Sequence, residues 1–255
     1  MEAVYRWSIA SYLLTVGGLL IAGRGTNIVP IIAFCSPKGG VGKTTASVIT
    51  ASELAQRGAS VTIVDCDPNR GALDWSRLPG VPAGLDVVAD GVTEETITEI
   101  LEEVSARSTF VVCDLEGNAS LMVAYATGMA DLVVIPVQGS QLDAKQAARQ
   151  MRLIKAQEKM AGRPIPFVVL LNRTSPTIVG RTQRHIEGKF GELALPVLTT
   201  RLHDREAYRA LFSIGGTLAA LPEKNVSNLP AAVENARTFV AELTERLRAS
   251  LKEVA

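Results

Sequence analysis

Short aliphatic runs alternate with helical segments along most of this 255-residue chain, and most of the runs end in a glycine-rich turn or a polar residue. Continuous aliphatic runs are typical of parallel strands that are buried on both faces, and the segments between them have the spacing of amphipathic helices. Strands that alternate with helices form βαβ units. The pattern therefore predicts an α/β fold, a doubly wound and mostly parallel sheet with helices on both faces.

The pattern also gives approximate bounds for the elements. Strands are predicted at 28–35, 61–65, 85–88, 110–114, 132–136, 167–171 and 195–199. Helices are predicted at 44–57, 94–106, 141–160, 177–190 and 230–254. The last helix has an apolar side, which indicates a helix that packs on the core. No linker divides residues 28–255, so they are predicted to form a single domain.

The first 27 residues differ from the rest. Residues 7–22 are mostly apolar, with Arg6 before them and Arg24 after them. This run is shorter than the roughly 20 residues that a membrane-spanning helix needs, and it lacks a convincing signal-peptide cleavage site. We interpret residues 1–27 as an extension or the product of an upstream translation start. A membrane-associating segment and an additional structural element stay open as alternatives.

The charge is zero overall but unevenly distributed. Residues 82–120 contain nine acidic residues and one arginine, whereas residues 143–209 contain thirteen lysines and arginines and six acidic residues. A polyanionic partner would therefore meet the second half of the chain. The three cysteines have no metal-binding or CxxC spacing, which favours packing roles in a reducing, cytoplasmic environment.

A glycine-rich segment joins the first predicted strand to the first predicted helix: Lys38-Gly39-Gly40-Val41-Gly42-Lys43-Thr44-Thr45. Backbone N–H groups of such a loop, together with the N-terminus of the helix, form a site for phosphate. Lys43 is placed to reach the β- and γ-phosphates, and the Thr44 hydroxyl is placed to bind Mg²⁺. The segment therefore predicts a nucleotide site for ATP and Mg²⁺.

Two further strands end in carboxylates. Asp65 ends the second strand and Asp67 follows it closely, and Asp114 ends the run 110–114 in the manner of a Walker B strand. Ligands of parallel sheets bind at the carboxyl ends of the strands, where all these groups meet. Asp114 is expected near the water shell of Mg²⁺, and Glu116 is an additional candidate to hold a water molecule, or else an exposed loop acid.

The segment 38–45 resembles the deviant Walker A motif of the ParA/MinD family of partition and positioning ATPases, and the similarity extends over residues 28–250. The resemblance implies a slow ATP hydrolase that partners stimulate and that forms a homodimer when ATP is bound. It implies that Lys38 reaches the partner's nucleotide, that Asp67 orients the attacking water and that Asp65 helps to organise Mg²⁺. Asn172, after the strand 167–171, matches a position that contacts adenine.

Two departures from the family pattern affect the switch segments. Asn69 stands where glutamine is common, and Leu115-Glu116-Gly117-Asn118 follows Asp114 where the family often continues Asp-x-Pro-Pro. The second departure bears on how hydrolysis is coupled to partners more than on nucleotide binding.

Two basic groups are candidates for contact with DNA. Lys145, Arg149, Arg152, Lys155 and Lys159 share one side of the predicted helix 141–160, where a solvated helix surface is the preferred interpretation. The resemblance implies non-specific DNA binding by the C-terminal part of the dimer. The second basic group is predicted to provide it: Arg173, Arg181, Arg184, Lys189, Arg201, Arg205 and Arg209.

The main prediction is an ATPase that positions or segregates a plasmid, a chromosome or another cargo on DNA, with a centromere-binding or other adaptor protein that stimulates it. One alternative is the branch that promotes conjugative or T-DNA transfer by recruiting a relaxase complex, which residues 201–209 and 115–117 resemble. The other is a MinD-like ATPase that acts at a membrane. A MinD-like ATPase is expected to contact the membrane through a basic, amphipathic helix at its C-terminus. In this chain, residues 7–22 are a better candidate for membrane contact than the C-terminal helix.

Overall fold

The structure is a computed structural model that describes residues 29–117, 120–138, 141–175 and 181–253. The apolar run at 7–22 lies outside the described residues. So do Asn118 and the side chains of Arg181 and Arg184.

Seven parallel strands form one sheet in the order β3-β2-β4-β1-β5-β6-β7. β1 lies at the centre, with β4 and β2 on one side and β5 and β6 on the other. The predicted doubly wound α/β fold is thereby confirmed. The strands are β1 (Ile31–Phe34), β2 (Val61–Asp65), β3 (Leu85–Val88), β4 (Phe110–Asp114), β5 (Leu132–Val137), β6 (Phe167–Thr174) and β7 (Leu202–His203).

Eight helices cover the two faces of the described sheet. Alternate strand residues face opposite layers: Ile63 of β2 packs in the core beneath α1, α2, α7 and α8, and Val64 packs in the core beneath α3 to α6. The helices are α1 (Lys43–Gln56), α2 (Gly71–Ser76), α3 (Ile97–Arg107), α4 (Leu121–Met129), α5 (Gln141–Ala161), α6 (Arg181–Glu192), α7 (Glu206–Ile214) and α8 (Leu229–Glu253).

The prediction of a strand at 195–199 was wrong. Pro196 and Leu198 exchange hydrogen bonds with Val169 of β6, which gives a single bridge at Val197. The backbone N–H groups of Thr199 and Thr200 instead donate to Glu242 of α8, each at 2.7 Å. The ladder is therefore interrupted, and pairing with β6 resumes only at β7.

The closing helix α8 packs on the core as predicted. Its apolar side, which includes Ala236, Phe239, Leu243 and Leu247, is fully buried. Within the described part of the chain, no helix has both the length and the apolar character that crossing a membrane requires.

Candidate nucleotide-binding site

The loop between β1 and α1 curves around the N-terminus of α1. Gly42 precedes the helix in a left-handed conformation, with φ of 88°, which a side chain would make unfavourable. A Cβ at this position would also collide with the side-chain amide of Asn172. Lys43, the first residue of the helix, is only 5% exposed. The loop thus places a buried lysine and free helix N–H groups at one point, as anion binding requires.

Side chains from the ends of β5 and β6 hold three consecutive carbonyl groups of this loop. Nε2 of Gln138 and Nη1 of Arg173 donate to the carbonyl oxygen of Gly40, at 2.9 and 3.1 Å. Nδ2 of Asn172 donates to the carbonyl oxygens of Val41 and Gly42, at 2.8 and 3.2 Å. Because its carbonyl oxygens accept hydrogen bonds from these side chains, the loop has its peptide groups held in a fixed orientation by residues at the ends of β5 and β6.

A bulge in β6 directs Arg173 to the loop. Arg173 has φ of 53°, and the pairing of β6 with β7 shifts register between Asn172 and Thr174. Such bulges re-aim a side chain near functional sites. Asn172 lies inside β6 instead of closing it, and its Oδ1 accepts from the backbone N–H of Arg173 at 2.9 Å. Both amide hydrogens of Asn172 serve the loop, so its predicted contact with adenine stays a prediction.

Asp114 is fully buried at the end of β4, next to Lys43. Its Oδ1 accepts a long hydrogen bond from Ser47, at 3.4 Å, whereas its Oδ2 is buried without a hydrogen-bond partner among the described residues. Burial raises the pKa of Asp114 to about 7, against the opposing effects of Thr44 and Lys43. A buried carboxylate oxygen without a partner costs free energy, and a hard cation such as Mg²⁺ takes ligands of this kind. The residues therefore fit Mg²⁺.

Asp65 organises the segment after β2. Its Oδ2 accepts from the backbone N–H groups of Ala72 and Leu73, at 3.0 and 2.9 Å, and its Oδ1 accepts from that of Asp67 at 3.2 Å. Desolvation raises the pKa of Asp65 despite these hydrogen bonds. Asp65 thus fixes the turn that leads into α2. Its predicted role near Mg²⁺ stays a prediction.

Asp67 faces the cleft, and Asn69 fixes its orientation. The backbone N–H and the side-chain Nδ2 of Asn69 donate to Oδ1 of Asp67, at 2.9 and 2.8 Å. Asn69, which stands where glutamine is common, therefore still provides a side-chain amide that holds Asp67.

The loop, the segments that follow β2 and β4, and Arg173 line an open cleft of about 560 Å³. Gly117 closes one side, because a Cβ there would lie 3.4 Å from the backbone nitrogen of Gly39. Lys38 is half-buried and is not part of the cleft wall. The wall is formed by Pro37, Gly39, Gly40, Gly42, Lys43, Thr44, Thr45, Asp67, Pro68, Asn69, Gly71, Glu116, Gly117 and Arg173.

Comparison with known proteins gives the family. The model of the VirC1 protein family matches residues 29–253. The chain belongs to this family. A curated ParA protein of Rhizobium radiobacter is 36% identical over 223 residues, which cover 88% of this chain and all of the relative. The virC1 protein of Rhizobium rhizogenes is 26% identical, over 71% of this chain and 79% of that protein.

Solved structures share the fold of this VirC1-family chain. The ATP complex of a Cyanothece McdA variant superposes with a TM-score of 0.69 at 17% identity, over 86% of this chain and 98% of that one. A ParA family ATPase from Chlorobium tepidum superposes with a TM-score of 0.65 at 16% identity, over 86% of this chain and 100% of that one. The predictions of a ParA/MinD-like P-loop fold and of a ParA-like ATPase are confirmed.

The described residues of the second basic group of this VirC1-family chain have different surroundings. Arg173 lies at the nucleotide cleft. Arg201 pairs with Glu187 at 2.8 Å, and Arg209 pairs with Asp204 and Glu206, at 2.6 and 2.9 Å. Lys189 and Arg205 are half-buried. Their contact with DNA stays a prediction.

Gln138 holds the loop but was not predicted from the sequence. It directly follows β5, and because ligands of parallel sheets bind at the carboxyl ends of the strands, a polar residue at this position could have been identified from the sequence.

Proposed function

We propose that this protein binds ATP with Mg²⁺, dimerises in the ATP state and hydrolyses ATP to position or segregate a cargo on non-specific DNA in the cytoplasm. The observation that carries the proposal is that buried Lys43, the first residue of α1, lies near buried Asp114, whose Oδ2 has no hydrogen-bond partner among the described residues. One fixed positive group and one free carboxylate oxygen at a helix N-terminus suit a phosphate chain and its metal ion.

Each residue has a defined task in this proposal. Lys43 and the loop N–H groups bind phosphate oxygens, while Thr44 and Asp114 hold the metal ion. Mg²⁺ supplies charge neutralisation on the phosphate oxygens when it is bound. Asp67, held by Asn69, orients water, and Lys38 contacts the nucleotide of the partner subunit. Hydrolysis is slow until an adaptor protein stimulates it.

The test is binding of a non-specific DNA duplex, and separately of anionic liposomes, with ATP and with ADP. We expect binding to DNA with ATP only, steeply weakened by salt because phosphate contacts release counterions. Lys43→Ala should abolish ATP binding, whereas Lys38→Ala should retain ATP but fail to dimerise and to bind DNA. Binding to liposomes alone would support the MinD-like alternative instead.

The match to the VirC1 family model over residues 29–253 favours one second candidate, promotion of conjugative or T-DNA transfer through a relaxase complex. Deletion of the gene separates the two. Loss of an unselected plasmid at normal transfer frequency supports segregation, and reduced transfer with normal plasmid retention supports the second candidate.

A further inference from the structure

Three neighbouring helices, α3, α4 and α5, form a surface that is separate from the nucleotide cleft. α4 lies between the other two and contacts both. The inner sides of the three helices, with Leu101, Val123 and Ile154, fill one layer of the core. Their outer sides face solvent, and the described residues that line the cleft belong to none of these helices.

The outer sides of α3 and α5 carry opposite charge. α3 exposes three glutamates, and α5 exposes five lysines and arginines. Apart from the pair that Lys155 forms with Glu158 at 2.8 Å, none of these side chains forms an ion pair with another described residue. The acidic residues are Glu99, Glu102 and Glu103, and the basic ones are Lys145, Arg149, Arg152, Lys155 and Lys159.

α4 separates the two charged helices with an apolar surface. Its nine residues, Leu-Met-Val-Ala-Tyr-Ala-Thr-Gly-Met, include no acidic or basic side chain. Leu121 and Tyr125, one helical turn apart, are 57% and 45% exposed. The surface is thus acidic on one side, apolar in the middle and basic on the other side.

We propose that this surface binds a second copy of the chain, around a two-fold axis that runs along α4. This axis places α4 against α4 and sets the acidic α3 of each copy against the basic α5 of the other. A two-fold axis across the helices would instead set α3 against α3 and α5 against α5, with like charges opposed. The order of charges therefore selects one symmetric, isologous arrangement.

Other classes of occupant fit less well. DNA or an anionic membrane would be attracted by α5 and repelled by α3. A second copy satisfies both charged helices and covers Leu121 and Tyr125 in the same contact. At about 10 Å per helix and 1.5 Å rise per residue, the surface measures roughly 30 by 20 Å. That is roughly 600 Å² per copy, the size of a small, weak interface.

This interface does not involve the nucleotide, so it adds to the ATP-dependent dimer of the proposed function. Two different isologous contacts on one protomer produce either a closed tetramer or an open array. The inference does not depend on the proposed function, so either of the two can be wrong while the other is correct.

The experiment is sedimentation of the full chain without nucleotide, with EDTA, at low salt and over a range of concentrations. The first variant reverses α3 with Glu99→Lys, Glu102→Lys and Glu103→Lys. The second reverses α5 with Lys145→Glu, Arg149→Glu and Arg152→Glu. We expect a concentration-dependent wild-type dimer, and a dimer dissociation constant raised at least about tenfold in each variant alone, because like charges then face each other.

The mixture of the two variants is the decisive sample. One has two basic helices and the other has two acidic helices, so an equimolar mixture pairs opposite charges at both contacts and should form a heterodimer. A chain that carries both reversals should regain the homodimer. Glu245→Lys with Arg246→Glu, at exposed positions of α8 on the opposite layer, is the matched control and should associate like the wild type.

A wild type that is monomeric at all concentrations overturns the inference. So does a mixture that stays monomeric, or association that neither reversal weakens. Loss of DNA binding in the α5 variant with unchanged association would assign this surface to DNA instead. Retained ATP binding by each variant shows that it is folded.

Discussion

Nδ2 of Asn172 lies 2.8 Å from the carbonyl oxygen of Val41 and thereby joins the sixth strand to the middle of the loop between β1 and α1. The same nitrogen lies 3.2 Å from the carbonyl oxygen of Gly42. Asn172 is only 3% exposed, so water cannot replace it easily at either carbonyl.

Asn172→Ala is therefore expected to weaken nucleotide binding without removing any phosphate ligand. Leaving two carbonyl groups without their donor costs about 1–3 kcal/mol, which corresponds to a rise of about 5- to 150-fold in the dissociation constant for ATP. Titration calorimetry measures the effect. Asn225→Ala, at an exposed position, is the matched control. Unchanged ATP affinity in Asn172→Ala would contradict the role of this contact.

Arg173 was predicted as a DNA contact, but its guanidinium holds the loop. Arg173→Ala should raise the dissociation constant for ATP about 3- to 10-fold, because one exposed hydrogen bond to Gly40 is lost and Gln138 remains. Arg209→Ala, from the same predicted basic group, should leave ATP binding unchanged. If Arg173→Ala reduces DNA binding while ATP affinity stays normal, the original interpretation is correct.

Asp114→Asn is expected to separate nucleotide binding from its dependence on Mg²⁺. The substitution keeps the shape of the side chain but removes the free carboxylate oxygen, so added Mg²⁺ should no longer increase the affinity for ATP. Fluorescence titration with and without Mg²⁺ measures this. Asp74→Asn, at an exposed position of α2, is the control. A normal Mg²⁺ response in Asp114→Asn would exclude it as a metal ligand.

The contribution of Glu242 to stability is expected to depend on pH. Desolvation alone would raise its pKa, but hydrogen bonds from Thr200 and Thr199 outweigh burial and lower it. A carboxyl group whose pKa is lower in the folded state adds stability above its unfolded value of about 4.3, and this stability is lost as the pH falls through the folded value. Glu242→Gln should therefore cost about 1 kcal/mol at pH 7, a figure already reduced for partial exposure.

Urea unfolding at pH 7 and again below pH 4 measures the difference between Glu242→Gln and the wild type. The difference should shrink at acid pH, because the wild-type carboxyl is then protonated as well. A difference that is equal at both values would mean that the charge of Glu242 has no part in the hydrogen bonds to Thr199 and Thr200.

The sequence predicted the central strands well because their aliphatic runs are buried on both faces. β2 and β4 have the expected bounds, and so does β3, although β3 is a partly exposed strand at one edge of the sheet. The other edge was harder to predict: the break after Val197 depends on Glu242, which lies more than forty residues away and takes the N–H groups of Thr199 and Thr200. The short helices α2, α4 and α7 were not predicted. The first turn of α2 depends on Asp65 at the end of β2, which accepts hydrogen bonds from the N–H groups of Ala72 and Leu73.

The residues of the site also divide into those that the local sequence indicates and those that depend on the folded structure. Lys43, Thr44 and Asp114 were predictable because each follows a local motif. The role of Arg173 was not, since it depends on a left-handed residue inside a strand, which no local pattern indicates for arginine.

The central position of β1 divides the surroundings of its loop into two halves. Gln138, Asn172 and Arg173 hold the loop from the side of β5 and β6, while the carboxylates reach it from the side of β2 and β4. The half that holds the loop shares no strand with the half that carries the carboxylates. The segments after β2 and β4 can therefore diverge between relatives without loss of the hydrogen bonds that fix the loop.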